Sequence, residues 1–162
     1  IANALGANVV AVDINDKNLE MAKKMGAVAT VNASSGNVGE AVVEITGGGA
    51  HISVDALGIA TTCLNSIMSL RSRGRHLQIG LTTQAEKGFI SLPIDVMVAR
   101  EIEFIGTIGM QPQRYSAMLN MVTSGKLTPG AMVTNVVPVE EAAAVIESMH
   151  GFGNVGTTVV KW

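Results

Sequence analysis

The 162-residue sequence holds one cysteine, four prolines, one tryptophan, one tyrosine and three phenylalanines, and neither sign of charge is in real excess. Each scarcity excludes something. A lone Cys63 rules out an internal disulfide and any all-cysteine metal site within one chain. A net charge of −2 gives no reason to expect nucleic acid or an anionic membrane surface as partner. No apolar run reaches membrane-spanning length, and no basic-then-apolar leader of secretory type opens the chain. The expected setting is reducing and cytoplasmic.

What is present is globular. Apolar residues make up 48% of the chain, charged residues 15%, and there are 18 glycines. That is material for one packed domain. The opening IANALGAN starts inside a helical pattern that Gly6 stops, so the chain reads as N-terminally truncated. From there strand and helix patterns alternate. Val-rich NVVAVD (8–13) lacks clean alternation, which fits a parallel strand covered on both faces. A helix follows over 16–25, capped by Asn15, turning Leu19, Ala22 and Met25 inward and ended by Gly26. Strands are predicted at 27–32, 51–57, 75–80 and 102–109. Helices are predicted at 37–45, from 61 or 62 to near Gly74, at 95–100 and at 113–123. A Gly/Pro-rich stretch near 125–132 precedes a strand, a helix over 140–149 and a terminal strand. Such alternation means repeated right-handed βαβ units, hence an α/β fold with a doubly wound, Rossmann-type parallel sheet.

Ligands of such sheets sit beyond the C-terminal strand ends. The groups falling there are Asp13, Asn32 with Ser34, Leu57-Gly58, Gly80-Leu81-Thr82 and Ile108-Gly109. An acid after the second strand of a dinucleotide-binding unit accepts hydrogen bonds from adenosine ribose hydroxyls and repels a 2′-phosphate. Its companion glycine turn would lie about 20 residues earlier, ahead of Ile1. The other reading of Asp13 is a solvated strand-end residue that helps cap the next helix.

The ordered set ALGANVVAVDIND…AKKMGAVATVN, VDALG (54–58), GRHLQIGL (74–81), REIEFIGTIGM (100–110), SGKLTP (124–129), PVEEAAAVIESM (138–149) and GTTVVKW (156–162) resembles the medium-chain, zinc-type alcohol dehydrogenase family. The resemblance implies a partial NAD(P)-binding domain over 1–130 and, over 131–162, a segment returning to a catalytic domain. The family's zinc-binding catalytic domain and the sheet's first strand are missing from this stretch. Zinc is therefore expected only in that other domain, and strands beside the missing one would lose a hydrogen-bond partner. By resemblance, Asp13 takes the adenosine ribose, Lys17 or Asn18 lies near the adenine, and Leu57, Gly58, Gly80, Leu81 and Thr82 line the path to the nicotinamide. Ile108 and Gly109 approach its carboxamide. The implied cofactor is NAD, with NADP second. The implied substrate is a small alcohol or aldehyde. The implied assembly is a homodimer or homotetramer through 89–92 and 102–106.

Other eye-catching residues read as structural. TGGGAH (46–51) follows a helix and precedes a strand, the wrong order for a phosphate loop, so it is a helix cap and loop. TSGKLTPG has Asn120 and Leu127 where a P-loop needs Gly and Ser/Thr. His51, His76 and His150 are scattered, Cys63 is a small core residue, and Arg71, Arg73 and Arg75 complement a helix end. Tyr115 lacks a lysine four residues on, which disfavours a short-chain dehydrogenase. Two alternatives remain: a zinc-free quinone or enoyl reductase of the same superfamily using NADPH, and a nucleotide-sensing regulatory module without chemistry.

Overall fold

A computed structural model describes residues 1–149 and 153–162. His150 lies outside the described residues. The described chain divides into two compact units, Ile1–Asn32 with Gln111–Trp162, and Ala33–Met110.

In the first unit a single 3-10 turn at Asn3–Leu5 is closed by Gly6 at φ 89°, and strand β1 (Val10–Asp13) follows. Asn15 sits in extended backbone and its side chain accepts the Lys17 amide, so helix α1 (Asp16–Lys24) begins where the sequence places it. Lys23 and Lys24 lie in its last turn, Leu19 is its buried residue, and Gly26 turns the chain at φ 100°. A Cβ on Gly26 would overlap the Asn3 side-chain amide, which can turn aside, so it is the φ of 100° that favours glycine there. Strand β2 (Ala29–Asn32) pairs in parallel with β1, Asp13 opposite Asn32. The same unit holds α5 (Tyr115–Thr123), β6 (Val133–Pro138), α6 (Ala142–Ser148) and β7 (Thr157–Lys161), with β6 and β7 parallel.

The second unit runs α2 (Val38–Thr46), β3 (Ala50–Asp55), α3 (Ala60–Met68), β4 (Leu70–Gln78), α4 (Ile94–Ala99) and β5 (Glu103–Gly106), its strands forming one parallel sheet in the order β3-β4-β5. Asn37 caps α2 by accepting the Glu40 amide, and Gly47 ends it in the left-handed region, so TGGGAH is indeed cap and loop. Helices α2 and α3 approach closely at Gly39, where a Cβ would stand 3.0 Å from that of Met68. Between helices and sheet lie Val38, Val42, Cys63, Ile67, Leu70 and a fully buried His76.

Helix α3 stops at Met68 rather than near Gly74, and β4 begins at Leu70, five residues before the expected start. Leu70 already pairs with Ala50. The chain then bulges through Arg73 at φ 60° before Arg75 rejoins the ladder opposite Ile52. The arginines therefore do not serve a helix end. Arg71 meets His51, Arg73 pairs with Glu101 at 2.6 Å and Arg75 with Glu103 at 2.8 Å, all at the surface.

Among the described residues β1 pairs only with β2, and β3 only with β4, so each keeps one open edge. The faces of the three-stranded sheet are also unlike. Ser53, Asp55, His76 and Gln78 belong to the side facing α3, while the alternate residues Ile52 and Val54 are 56% and 51% exposed. The covered side of this sheet is the polar one.

Candidate functional site

Parallel strands all point one way, so their C-terminal ends gather the groups that follow them. In the first unit that position belongs to Asp13. Its backbone closes β1, its side chain is half-buried, and both oxygens are engaged: Oδ1 accepts the Asn15 amide at 2.8 Å and Oδ2 the Asn18 side-chain amide at 3.2 Å. A carboxylate offers about four lone-pair positions. Two donors fix its orientation and leave acceptor capacity for a ligand, so Asp13 is at once the helix-entry residue and a group able to accept hydrogen bonds from hydroxyls. Lys17 is exposed in the first turn of α1, and Asn18 reaches Asp13 rather than standing free.

In the second unit the strand ends are built more tightly. Gly58 has φ 90° and Gly80 lies against it. A Cβ on Gly58 would overlap the Leu81 carbonyl oxygen and stand 2.6 Å from its carbon, and one on Gly80 would overlap the Gly58 nitrogen and stand 2.5 Å from the Leu57 carbonyl carbon. The loops after β3 and β4 thus touch backbone to backbone, which only this glycine pair permits. Leu57 and Leu81 turn outward, 45% and 78% exposed. Thr82 is half-buried beside them. Strand β5 ends at Gly106, so Ile108 and Gly109 lie in the loop beyond it. Ile108 is 86% exposed, and Gly109 at φ 57° has open space where a Cβ would be. Apolar side chains and bare backbone at the strand ends suit a flat, partly apolar ligand.

Sequence reasoning missed Asp55. It is 3% exposed, and Oδ1 accepts from the Leu57 amide (3.0 Å), the Gly58 amide (3.1 Å) and the Thr62 hydroxyl (2.9 Å). Oδ2 accepts from Gln78 Nε2 at 2.9 Å. Burial pushes its pKa up, but the hydrogen bonds from Gln78, Gly58, Leu57 and Thr62 outweigh burial and hold the carboxyl below its ordinary value. The sequence did carry a signal, since VDALG repeats the strand-then-acid pattern of NVVAVD. Glu86 was missed too. It accepts the Ala60 amide at the start of α3 and the amide and hydroxyl of Thr83. The Thr83 hydroxyl is the main cause that lowers its pKa. Cys63 behaves as core: it is 1% exposed, and burial, then the charge of Asp55, push its thiol pKa up.

Among the described residues no group of three or more His, Cys, Asp or Glu is placed to hold a metal ion. No described helix is long and apolar enough to cross a membrane.

Comparison with known proteins now bears on these strand ends. Residues 1–124 match the model of a family described as zinc-binding dehydrogenase. The NAD-dependent alcohol dehydrogenase of Sulfurisphaera tokodaii is 30% identical over 99% of this chain and 45% of its own length. D-xylulose reductase A of Aspergillus niger is 28% identical over 98% of this chain and 45% of its own. Among solved structures, an NAD-dependent alcohol dehydrogenase superimposes with a TM-score of 0.86 at 27% identity, over 99% of this chain and 46% of that one. Benzyl alcohol dehydrogenase of Acinetobacter calcoaceticus gives the same score at 22% identity, a likeness of fold, over 99% and 44%. The chain spans about half the length of the curated relatives it matches. By sequence model and by fold alike, the chain belongs to the zinc-binding dehydrogenase family.

Proposed function

We propose that this chain is the cofactor-binding portion of a zinc-dependent alcohol dehydrogenase, which moves hydride between a small alcohol or its aldehyde or ketone and NAD. The observation that carries the reading is Asp13, an acid at the end of a parallel strand, oriented by Asn15 and Asn18 and keeping acceptor capacity. There it would bond the adenosine ribose hydroxyls. A 2′-phosphate at about 4 Å would meet roughly 4 kcal/mol of repulsion per unit charge at an effective dielectric near 20, enough to favour NAD over NADP. Lys17 and Asn18 stand next to the same position. Leu57, Gly58, Gly80, Leu81 and Thr82 would offer the cofactor a smooth wall, and Ile108 and Gly109 would hold the nicotinamide end through exposed backbone. Bound NAD supplies the hydride chemistry; this chain's residues orient it and exclude water from one side.

On this reading residues 1–130 form the cofactor domain and 131–162 lead into a catalytic domain that brings the zinc. The doubly wound order calls for a further strand in mid-sheet. Among the described residues β1 and β3 each have, within their own sheets, an edge free to take a partner strand. The names of the relatives favour a simple alcohol or a polyol as substrate. Phe89, 83% exposed, and the open edge of β5 support self-association through 89–92 and 102–106.

The test is a fluorescence titration of the whole protein with NADH and NADPH. Saturable NADH binding, tighter than NADPH, is expected. Asp13→Ser should shrink the preference by roughly tenfold or more, as expected when a repulsion of a few kcal/mol is removed. Equal affinity in the wild type, or an unaltered preference in the variant, removes Asp13 from the site.

A further inference from the structure

The covered face of the β3-β4-β5 sheet carries a continuous polar chain where apolar residues would ordinarily pack. Gln78 Nε2 lies 2.9 Å from Asp55 Oδ2 and 2.9 Å from the Gly80 carbonyl. Both of those groups only accept, so the amide end facing them is the NH2 and Gln78 Oε1 faces away. That oxygen is 2.9 Å from His76 Nε2, which must therefore carry the ring proton. His76 Nδ1 is then the acceptor, with the hydroxyls of Ser66 at 3.1 Å and Ser53 at 3.3 Å. His76 has no exposed surface, and its ring also packs on Phe104, centroids 4.8 Å apart. No described buried side-chain nitrogen or oxygen is left without a partner. Every hydrogen bond in the chain thus points toward Asp55.

The end of this chain is where the two site loops meet. Asp55 holds Leu57 and Gly58 through Oδ1, and its backbone carbonyl takes the amides of Ile79 and Gly80 at 2.9 and 3.0 Å. Gln78 holds the Gly80 carbonyl from the other side. We propose that Asp55 and Gln78 are positioning residues for the dinucleotide site: as one oriented donor–acceptor pair, locked by His76 and its serines, they set the spacing of the Leu57-Gly58 and Gly80-Leu81 backbones that would lie along the cofactor. The inference rests on the cofactor reading above for the ligand, and on the hydrogen-bond chain alone for the mechanism.

The orientation makes a one-atom change informative. In Asp55→Asn the new amide oxygen must serve the three donors on the Oδ1 side, so the new NH2 faces the NH2 of Gln78. Gln78 has to turn over. Its oxygen then faces the Gly80 carbonyl, its NH2 faces His76 Nε2, and the ring proton must move to Nδ1, where a serine oxygen accepts it. Adding Gln78→Glu restores an acceptor toward both the new amide and His76, and only the Gly80 carbonyl stays without its donor.

The experiment is nitrogen NMR of the whole protein labelled at histidine, with NADH titration of the same samples. The wild type should show His76 protonated on Nε2, Asp55→Asn on Nδ1, and the double variant on Nε2 again. NADH affinity should fall about tenfold or more in the single variant, the weight of one hydrogen bond to a charged group, and should stay below wild type in the double. If the single variant does not fold, the double variant, which keeps one buried carboxylate, carries the positioning test: a wild-type NADH affinity there refutes the positioning role. An unswitched ring proton in Asp55→Asn refutes the oriented chain. A switched proton with unchanged NADH affinity refutes the positioning role. A wild type that binds no NADH ends the cofactor reading, and the positioning role with it, while the tautomer pattern still reports on the chain.

Discussion

Replacing Gly58 by alanine separates two costs that usually arrive together. The first is conformational: at φ 90° an L-residue gives up about 1–2 kcal/mol. The second is spatial, because the added Cβ would overlap the Leu81 oxygen and sit 2.6 Å from its carbon, both backbone atoms that cannot rotate away. Relief requires the loops after β3 and β4 to part, which pulls the Gly58 amide from Asp55 Oδ1 and costs a further ~1.5–3 kcal/mol for a hydrogen bond to a charged acceptor. The sum is about 2.5–5 kcal/mol. Gly88 supplies the control. Its φ of 87° is nearly the same, yet nothing lies within 4 Å of its missing Cβ, so Gly88→Ala should cost only the first part. Equilibrium urea unfolding of both variants, followed by circular dichroism, measures the difference. Equal destabilisation of the two would refute the claim that backbone contact between these loops is what demands glycine.

Other outcomes follow from the same geometry. Asp55 has a folded pKa below its unfolded one, so its contribution to stability is fully present above the unfolded value near 3.8 and is lost as pH falls below it toward the folded value; acid-limb unfolding curves should flatten there in Asp55→Asn. Cys63, buried and with its thiol pKa raised, should react with a thiol reagent at the rate of unfolding, and a fast native-state reaction would contradict its place in the core. Arg73→Gly should be neutral or stabilising: the φ of 60° favours glycine, and the ion pair with Glu101, 80% and 64% exposed, contributes about 0–1 kcal/mol. A loss above that range in a thermal melt would show the pair to matter more than its exposure allows.

Local chemistry made much of this fold legible. Asn15 and Asn37 cap α1 and α2 because a short side-chain oxygen in extended backbone reaches the next free amides. Gly6 and Gly47 end their turns because only glycine enters the left-handed region cheaply. The α3–β4 junction was not legible. Leu64, Ile67 and Met68 set a helical rhythm that nothing local interrupts before Gly74, and the pairing of Leu70 with Ala50 that ends it is a tertiary event. The two strand-end acids show the same limit. Asp13 and Asp55 look alike in sequence, and what separates them is the company each keeps. One is half-buried with two donors from its own turn and helix. The other is buried under four donors drawn from α3, β4 and the loop between β3 and α3. The contact of Glu86 with Ala60 was invisible for a like reason, since Ala60 stands 26 residues earlier, whereas its bonds to Thr83 are local.

The decisive observation on Asp13 is a structure of the whole protein with NADH bound. Both adenosine ribose hydroxyls should lie within hydrogen-bond distance of the Asp13 carboxylate, which keeps its bonds to Asn15 and Asn18. An adenosine ribose held elsewhere, with that carboxylate facing solvent, would contradict that role.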